Sequence, residues 1–115
     1  MIPFPGSLRP APGEPGAFLL EVAPEHPAFE GHFPDLPILP GVVQVDWALR
    51  LGGEVFGPLG DFESLEHLKF QAVIRPGEPL RLSLAWDAEQ RELAFAYTGG
   101  AEKKSSGFAR FAPRP

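Results

Sequence analysis

The chain has 115 residues, enough for one domain with one modest core, and its 43% hydrophobic and 22% charged residues exclude disorder along its whole length. Its 13 glycines and 15 prolines follow no Gly-X-Y period, which excludes collagen. A net charge of -5 argues against a general nucleic-acid binder, whose affinity rests on neutralising phosphates, and the lack of cysteine excludes disulfides, thiolate nucleophiles, Cys-type zinc sites and iron–sulfur clusters.

Residues 1–15 are rich in proline and glycine and read as an extended arm or coil ahead of a single domain over 16–115. They hold neither a basic start nor an apolar core, so no signal peptide is expected. No stretch of the chain approaches the ~18 apolar residues of a membrane span, and a cytoplasmic protein is the default. Residues 16–23 read as a first strand. From Pro24 to Pro40, prolines and aromatics exclude regular structure. A loop of ~15 residues in a small domain is usually functional.

Residues 41–56 read as the one long helix, with Pro40 suited to its start and Gly57-Pro58 to its end. It is apolar on most sides (Val42, Val43, Val45, Trp47, Ala48, Leu49, Leu51), so it belongs inside something. Four strands follow. Residues 64–75 place Leu68, Phe70, Ala72 and Ile74 on one face. Residues 80–86 place Leu80, Leu82, Leu84 and Trp86 together, and residues 91–98 do the same with Leu93, Phe95 and Tyr97. Residues 105–112 carry Phe108 and Phe111, with a bulge expected at Gly107. The simplest packing is an α+β domain in which a curved antiparallel sheet wraps the helix. Its uncovered edge or face predicts a dimer.

The densest run of unusual residues lies between His26 and Asp46. Gly31-His32-Phe33-Pro34, then Pro37, then Pro40-Gly41-Val42, then Asp46 on the helix, resembles the 3-hydroxyacyl-carrier-protein dehydratases of the FabA/FabZ type. Leu68-Lys69-Phe70 and Arg75-Pro76-Gly77-Glu78 fit the same pattern. The run from Pro40 to Ala48 is most similar to a divergent subgroup, the ApeI-like dehydratases of aryl polyene clusters. The resemblance spans about residues 18–112 and implies a hot-dog fold.

Elimination of water from a 3-hydroxyacyl thioester needs three groups: a base for the C2 proton, an acid for the departing C3 hydroxyl, and a donor for charge on the thioester oxygen. An imidazole suits the first at neutral pH, and a helix N-terminus suits the third. By resemblance His32 is the base, Asp46 the acid and the Gly41 N–H, beside that of Val42, the oxyanion donor. The resemblance also implies a homodimer in which His32 of one copy faces Asp46 of the other. The carrier-linked acyl chain would run in an apolar tunnel, for which Phe33, Leu39, Val42 and Trp47 are candidate walls. Two features depart from the pattern: Asp46 stands where glutamate is commoner, and Arg50 where glutamine is commoner. An Asp46–Arg50 pair at i, i+4 would tie up the carboxylate.

Other chemistries find little footing. His26, His32 and His67 lack ligand-like spacing for a metal; His26 is read as ordering the loop and His67 as exposed. No Gly-x-Ser-x-Gly elbow and no phosphate-binding glycine loop is present, so neither a serine nucleophile nor a nucleotide cofactor is indicated. Lys69, Arg75, Arg81, Lys103, Lys104 and Arg110 read either as solvated strand faces or as a patch for an acidic acyl carrier protein. Two alternatives to the dehydratase stay open, a hot-dog thioesterase and a catalytically silent binding or assembly subunit.

Overall fold

The computed structural model describes residues 2–30 and 36–114. Six strands form one sheet: β1 (Ser7–Pro10), β2 (Ala17–Glu21), β3 (Asp61–Phe70), β4 (Leu80–Asp87), β5 (Glu92–Gly99) and β6 (Glu102–Ala112). Every pairing is antiparallel and the order is β1-β2-β4-β5-β6-β3, so β1 and β3 are the edges. One helix, α1 (Gly41–Phe56), packs against β4 and β5. This is the expected hot-dog arrangement.

The strict alternation of β4 and β5 explains the packing. Leu80, Leu82 and Leu84 of β4 and Leu93, Phe95 and Tyr97 of β5 are all buried. They meet Trp47, Ala48 and Leu51 of α1, while the intervening residues face outward. Fully burying one such large side chain contributes about 1.5–3 kcal/mol. Gly52 lets the helix approach closely, since a Cβ there would stand 2.6 Å from Leu93 Cδ2. Gly57, at φ 84, ends the helix in a conformation that suits glycine. Asp87 closes the β4–β5 turn by accepting from the Glu89 and Gln90 amides, both at 3.0 Å.

The structure departs from the sequence expectations in four places. Residues 7–10 of the N-terminal arm are a strand, paired from Ser7↔Glu21 to Pro10↔Phe18, with Pro10 tolerated because β1 is an edge. Pro27–Phe29 forms a 3-10 turn inside the long loop. The strand expected at 64–75 lies at 61–70, and its side chains change phase: two residues, His67 and Leu68, stand opposite Gly107 alone. The bulge is therefore on β3 rather than at Gly107 itself, and His67 takes φ 52 to make it. As a result Leu68 and Phe70 are exposed, whereas Ile74, beyond the strand, is fully buried. Finally, α1 is not covered all round. Val42 is 78% exposed, and Asp46 and Arg50 share its outer side.

Candidate active site

The site is built at the start of α1. Pro40 caps the helix with extended backbone, and its carbonyl accepts from the amides of Val43 and Gln44 at 3.1 and 3.2 Å. The Gly41 and Val42 N–H groups belong to the first turn, which has no intrahelical acceptors. Leu39 N–H donates to the Ile74 carbonyl at 2.8 Å, tying the entry of the helix to the segment after β3. A mostly apolar cleft of about 440 Å³ opens there, walled by Leu39, Gly41, Val42, Phe70, Ala72 and Val73. A Cβ at 41 would stand 2.6 Å from Cζ of the exposed Phe70 ring, so a larger residue there would push that ring aside.

A polar knot beneath the first turn holds it in place. Gln44, buried among apolar neighbours, donates from Nε2 to the Leu39 carbonyl at 3.1 Å. Its Oε1 accepts from Ser105 Oγ at 2.6 Å, and its backbone carbonyl accepts from Tyr97 OH at 2.7 Å. Burial, and then the nearby charge of Asp46, push the Tyr97 phenol far above its ordinary value, so it stays a donor. Sequence reasoning missed this knot. A glutamine in an otherwise apolar helix, in phase with a tyrosine and a serine on the facing strands, was the available signal.

Asp46 lies on the outer face of α1, its side chain 42% exposed. Arg50 binds it as foreseen: Nε donates to Oδ2 at 3.1 Å, and Nη2 stands 3.0 Å from the same oxygen as an ion pair. His32 and Phe33 lie outside the described residues, as does the rest of 31–35. Of the remaining candidates, Leu39, Gly41 and Val42 meet in the cleft. Trp47 does not line it. It is fully buried, with its ring edge-on to His26 at 5.5 Å, and its Nε1–H has no acceptor among the described residues.

His26 orders the loop, as read. Its Nδ1 accepts from the Ala28 amide at 3.0 Å, so Nε2 carries the hydrogen and donates to the Pro3 carbonyl at 3.0 Å. His67 is exposed, with its ring edge-on to Phe108.

The six basic residues do not form one patch. Arg81 pairs with Glu14, and Arg110 with Glu66 at 3.6 Å. Lys104 is 4% exposed; it donates to the Val73 carbonyl at 3.1 Å and pairs with Glu78 at 2.7 Å and Glu102 at 2.5 Å. Burial pulls its ammonium down, but the two carboxylates outweigh that and hold it above its ordinary value. Burial pushes Glu78 up, but Lys104 and the Arg75 amide leave it below its ordinary value. Lys69, Arg75 and Lys103 are exposed, and Lys69 and Lys103 flank a smaller cleft that shares Gln71 with the larger one. No helix of the described residues is long and apolar enough to cross a membrane.

The comparisons agree with one another. The profile of the ApeI-like family (ApeI dehydratase) matches residues 13–108. Relatives include the 3-hydroxyacyl-[acyl-carrier-protein] dehydratase FabZ of Caldanaerobacter subterraneus, 35% identical over 83 residues, covering 66% of this chain and 59% of that one. The FabZ of Geobacter metallireducens is also 35% identical over 83 residues, covering 64% and 55%. The chain thus spans less than two thirds of the length of these curated relatives. Among solved structures, the dehydratase heterocomplex ApeI:P from Xenorhabdus doucetiae superposes with a TM-score of 0.79 at 31% identity, covering 96% of this chain and 97% of that one. An uncharacterized protein from Erwinia carotovora gives 0.73 at 35% identity, covering 93% and 90%.

Proposed function

The chain belongs to the ApeI-like dehydratase family, and from that premise we propose that it removes water from a 3-hydroxyacyl thioester carried on acyl carrier protein, giving the trans-2-enoyl thioester in fatty-acid or aryl polyene synthesis. The observation that carries the reading is the apolar cleft at the start of α1, where Gly41 and Val42 present first-turn amides beside an apolar wall. The thioester carbonyl accepts from the Gly41 N–H. His32 takes the C2 proton. The C2–C3 double bond forms as the C3–O bond breaks, and Asp46, as the acid, gives a proton to the departing hydroxyl, which leaves as water. Leu39 and Val42 of the cleft, with Phe33, are the proposed contacts along the acyl chain, and Trp47, buried away from the cleft, is not among them.

The same reading makes the protein a dimer in the cytoplasm. β3 is a ten-residue edge strand, and Phe62, Leu65, Leu68 and Phe70 along it are exposed, with Val42 and Val73 nearby. An apolar edge of that length is a template for a second chain. By the family resemblance, each site of that dimer would draw His32 from one copy and Asp46 from the other. The exposed cations Lys69 and Lys103 beside the smaller cleft would meet an acidic carrier protein.

Two observations favour a second reading, a subunit that works beside a different dehydratase chain. The Xenorhabdus doucetiae relative is a heterocomplex, and Arg50 occupies one oxygen of Asp46 here. Separate His32→Ala and Asp46→Asn variants distinguish the readings. Both lose dehydration if the chain is a dehydratase. A thioesterase would depend mainly on Asp46, and a silent subunit on neither. Mixing the two inert variants restores part of the turnover if each site draws on both copies.

A further inference from the structure

Arg50 is held more firmly than a surface partner of Asp46 needs to be. An i, i+4 pair on an open helix swings freely and contributes little. Here the Arg50 side chain is 24% exposed and its guanidinium is engaged on three sides. Nε donates to Asp46 Oδ2, Nη2 lies 3.0 Å from that oxygen and donates to the Ile2 carbonyl, and the guanidinium carbon lies 4.2 Å over the Phe4 ring.

The segment that supplies Ile2 and Phe4 is itself tied down. His26 Nε2–H donates to the Pro3 carbonyl at 3.0 Å, with the Phe4 carbonyl at 3.4 Å. Ile2 and Phe4 pack on the core, and Pro5 is buried. Prolines at 3 and 5 restrict the backbone, so little entropy is lost in ordering it. His26 in turn is fixed by the Ala28 amide and stands against Trp47. Trp47, next to Asp46 on α1, closes the circuit: helix to His26, His26 to the N-terminal segment, the segment to Arg50, and Arg50 to Asp46.

We infer that residues 2–4 form a strap that sets the Asp46 carboxylate through Arg50, which makes Arg50 and Phe4 positioning residues; this rests on the proposed role of Asp46. The contacts of Arg50 with Asp46 both fall on Oδ2, which leaves Oδ1 to serve the substrate hydroxyl in this arrangement. Without the strap the guanidinium loses its stacking and its carbonyl, and Asp46 samples other rotamers. That loss acts on the chemical step, because the cleft that binds the acyl chain is lined by other residues.

The test is steady-state turnover of a 3-hydroxyacyl pantetheine thioester by the full-length chain and its Arg50→Gln, Arg50→Lys, Phe4→Leu, Arg50→Gln/Phe4→Leu and Asp46→Asn variants. Arg50→Gln is expected to lower kcat about tenfold with KM within about twofold. Phe4→Leu keeps the apolar bulk and falls in the same direction by a smaller factor. Arg50→Lys, which reaches Asp46 but cannot also span Ile2 and stack, lies between Arg50→Gln and the wild type. The double variant is no worse than Arg50→Gln, because both changes break one device. Unchanged kcat in Arg50→Gln and Phe4→Leu beside an inert Asp46→Asn overturns the strap, as does a double variant whose loss is the product of the two. A wild-type chain without turnover, or an undiminished Asp46→Asn, overturns the reading beneath it instead. Thermal unfolding checks the fold of each variant, and if Arg50→Gln does not fold, Phe4→Leu alone decides.

Discussion

Replacing Gln44 by methionine keeps the length of the side chain and removes its polar end. Two buried groups then lose their partners: the Leu39 carbonyl, now 3.1 Å from Nε2, and the Ser105 hydroxyl, now 2.6 Å from Oε1. A buried polar group left unpaired costs about 1–3 kcal/mol, and the thioether is the easier group to bury, so the net loss is about 2–4 kcal/mol. In a domain of this size that lowers the thermal midpoint by about 8–15 °C. The assay is thermal unfolding at one fixed protein concentration, since association raises apparent stability. Adding Ser105→Ala removes one of the two orphans and is expected to recover about half of the loss. A Gln44→Met midpoint within about 2 °C of wild type would refute the claim that the knot anchors the first turn.

Other consequences follow from the same packing. Gly52→Ala gains helix propensity of about 1 kcal/mol but pushes into Leu93, and overpacking of about 1–3 kcal/mol wins, so calorimetry is expected to show a net loss. The Lys104 cluster makes stability depend on pH. Glu78 is held below its ordinary value, so its contribution is present above that value and fades as pH falls through the lowered one. Lys104 is held above its ordinary value, so its contribution is complete below that value and fades as pH rises through the raised one. Lys104→Met therefore flattens the stability curve at both ends and, with the Val73 carbonyl unpaired, costs about 1–3 kcal/mol near neutrality in denaturant titrations. Leu65→Asp/Leu68→Asp places charge on the exposed edge of β3 and is expected to convert the proposed dimer to a monomer in light scattering; a monomeric wild type, or an unchanged mass in the variant, would contradict an interface along this edge.

The helix could be read from the sequence at its observed limits because punctuation agreed with pattern. Pro40 excludes an earlier start, and Gly57 needs a backbone that ends a helix. β4 and β5 were legible because each buries one face, so alternation survives along their length. β3 was not, because a two-for-one bulge at His67–Leu68 shifts the phase. β1 was hidden because it is only four residues long, ends in Pro10 among other prolines, and is held at the sheet edge by its pairing with β2. Of the candidate site, the Asp46–Arg50 contact was legible, because a helix turns an i, i+4 spacing directly into contact. The burial of Lys104 and the joining of Gln44 to Ser105, or of Ile2 to Arg50, depend on chain crossings that local pattern does not encode.

The most direct test of the account follows the conjugated enoyl product as the wild-type chain and His32→Ala are given a carrier-bound 3-hydroxyacyl thioester. The account predicts product with the wild type and a loss of about 10²–10⁴-fold in the variant, the span expected for one general-base residue. No enoyl product from a folded wild-type chain over several acyl lengths, or equal rates in the two proteins, would contradict it.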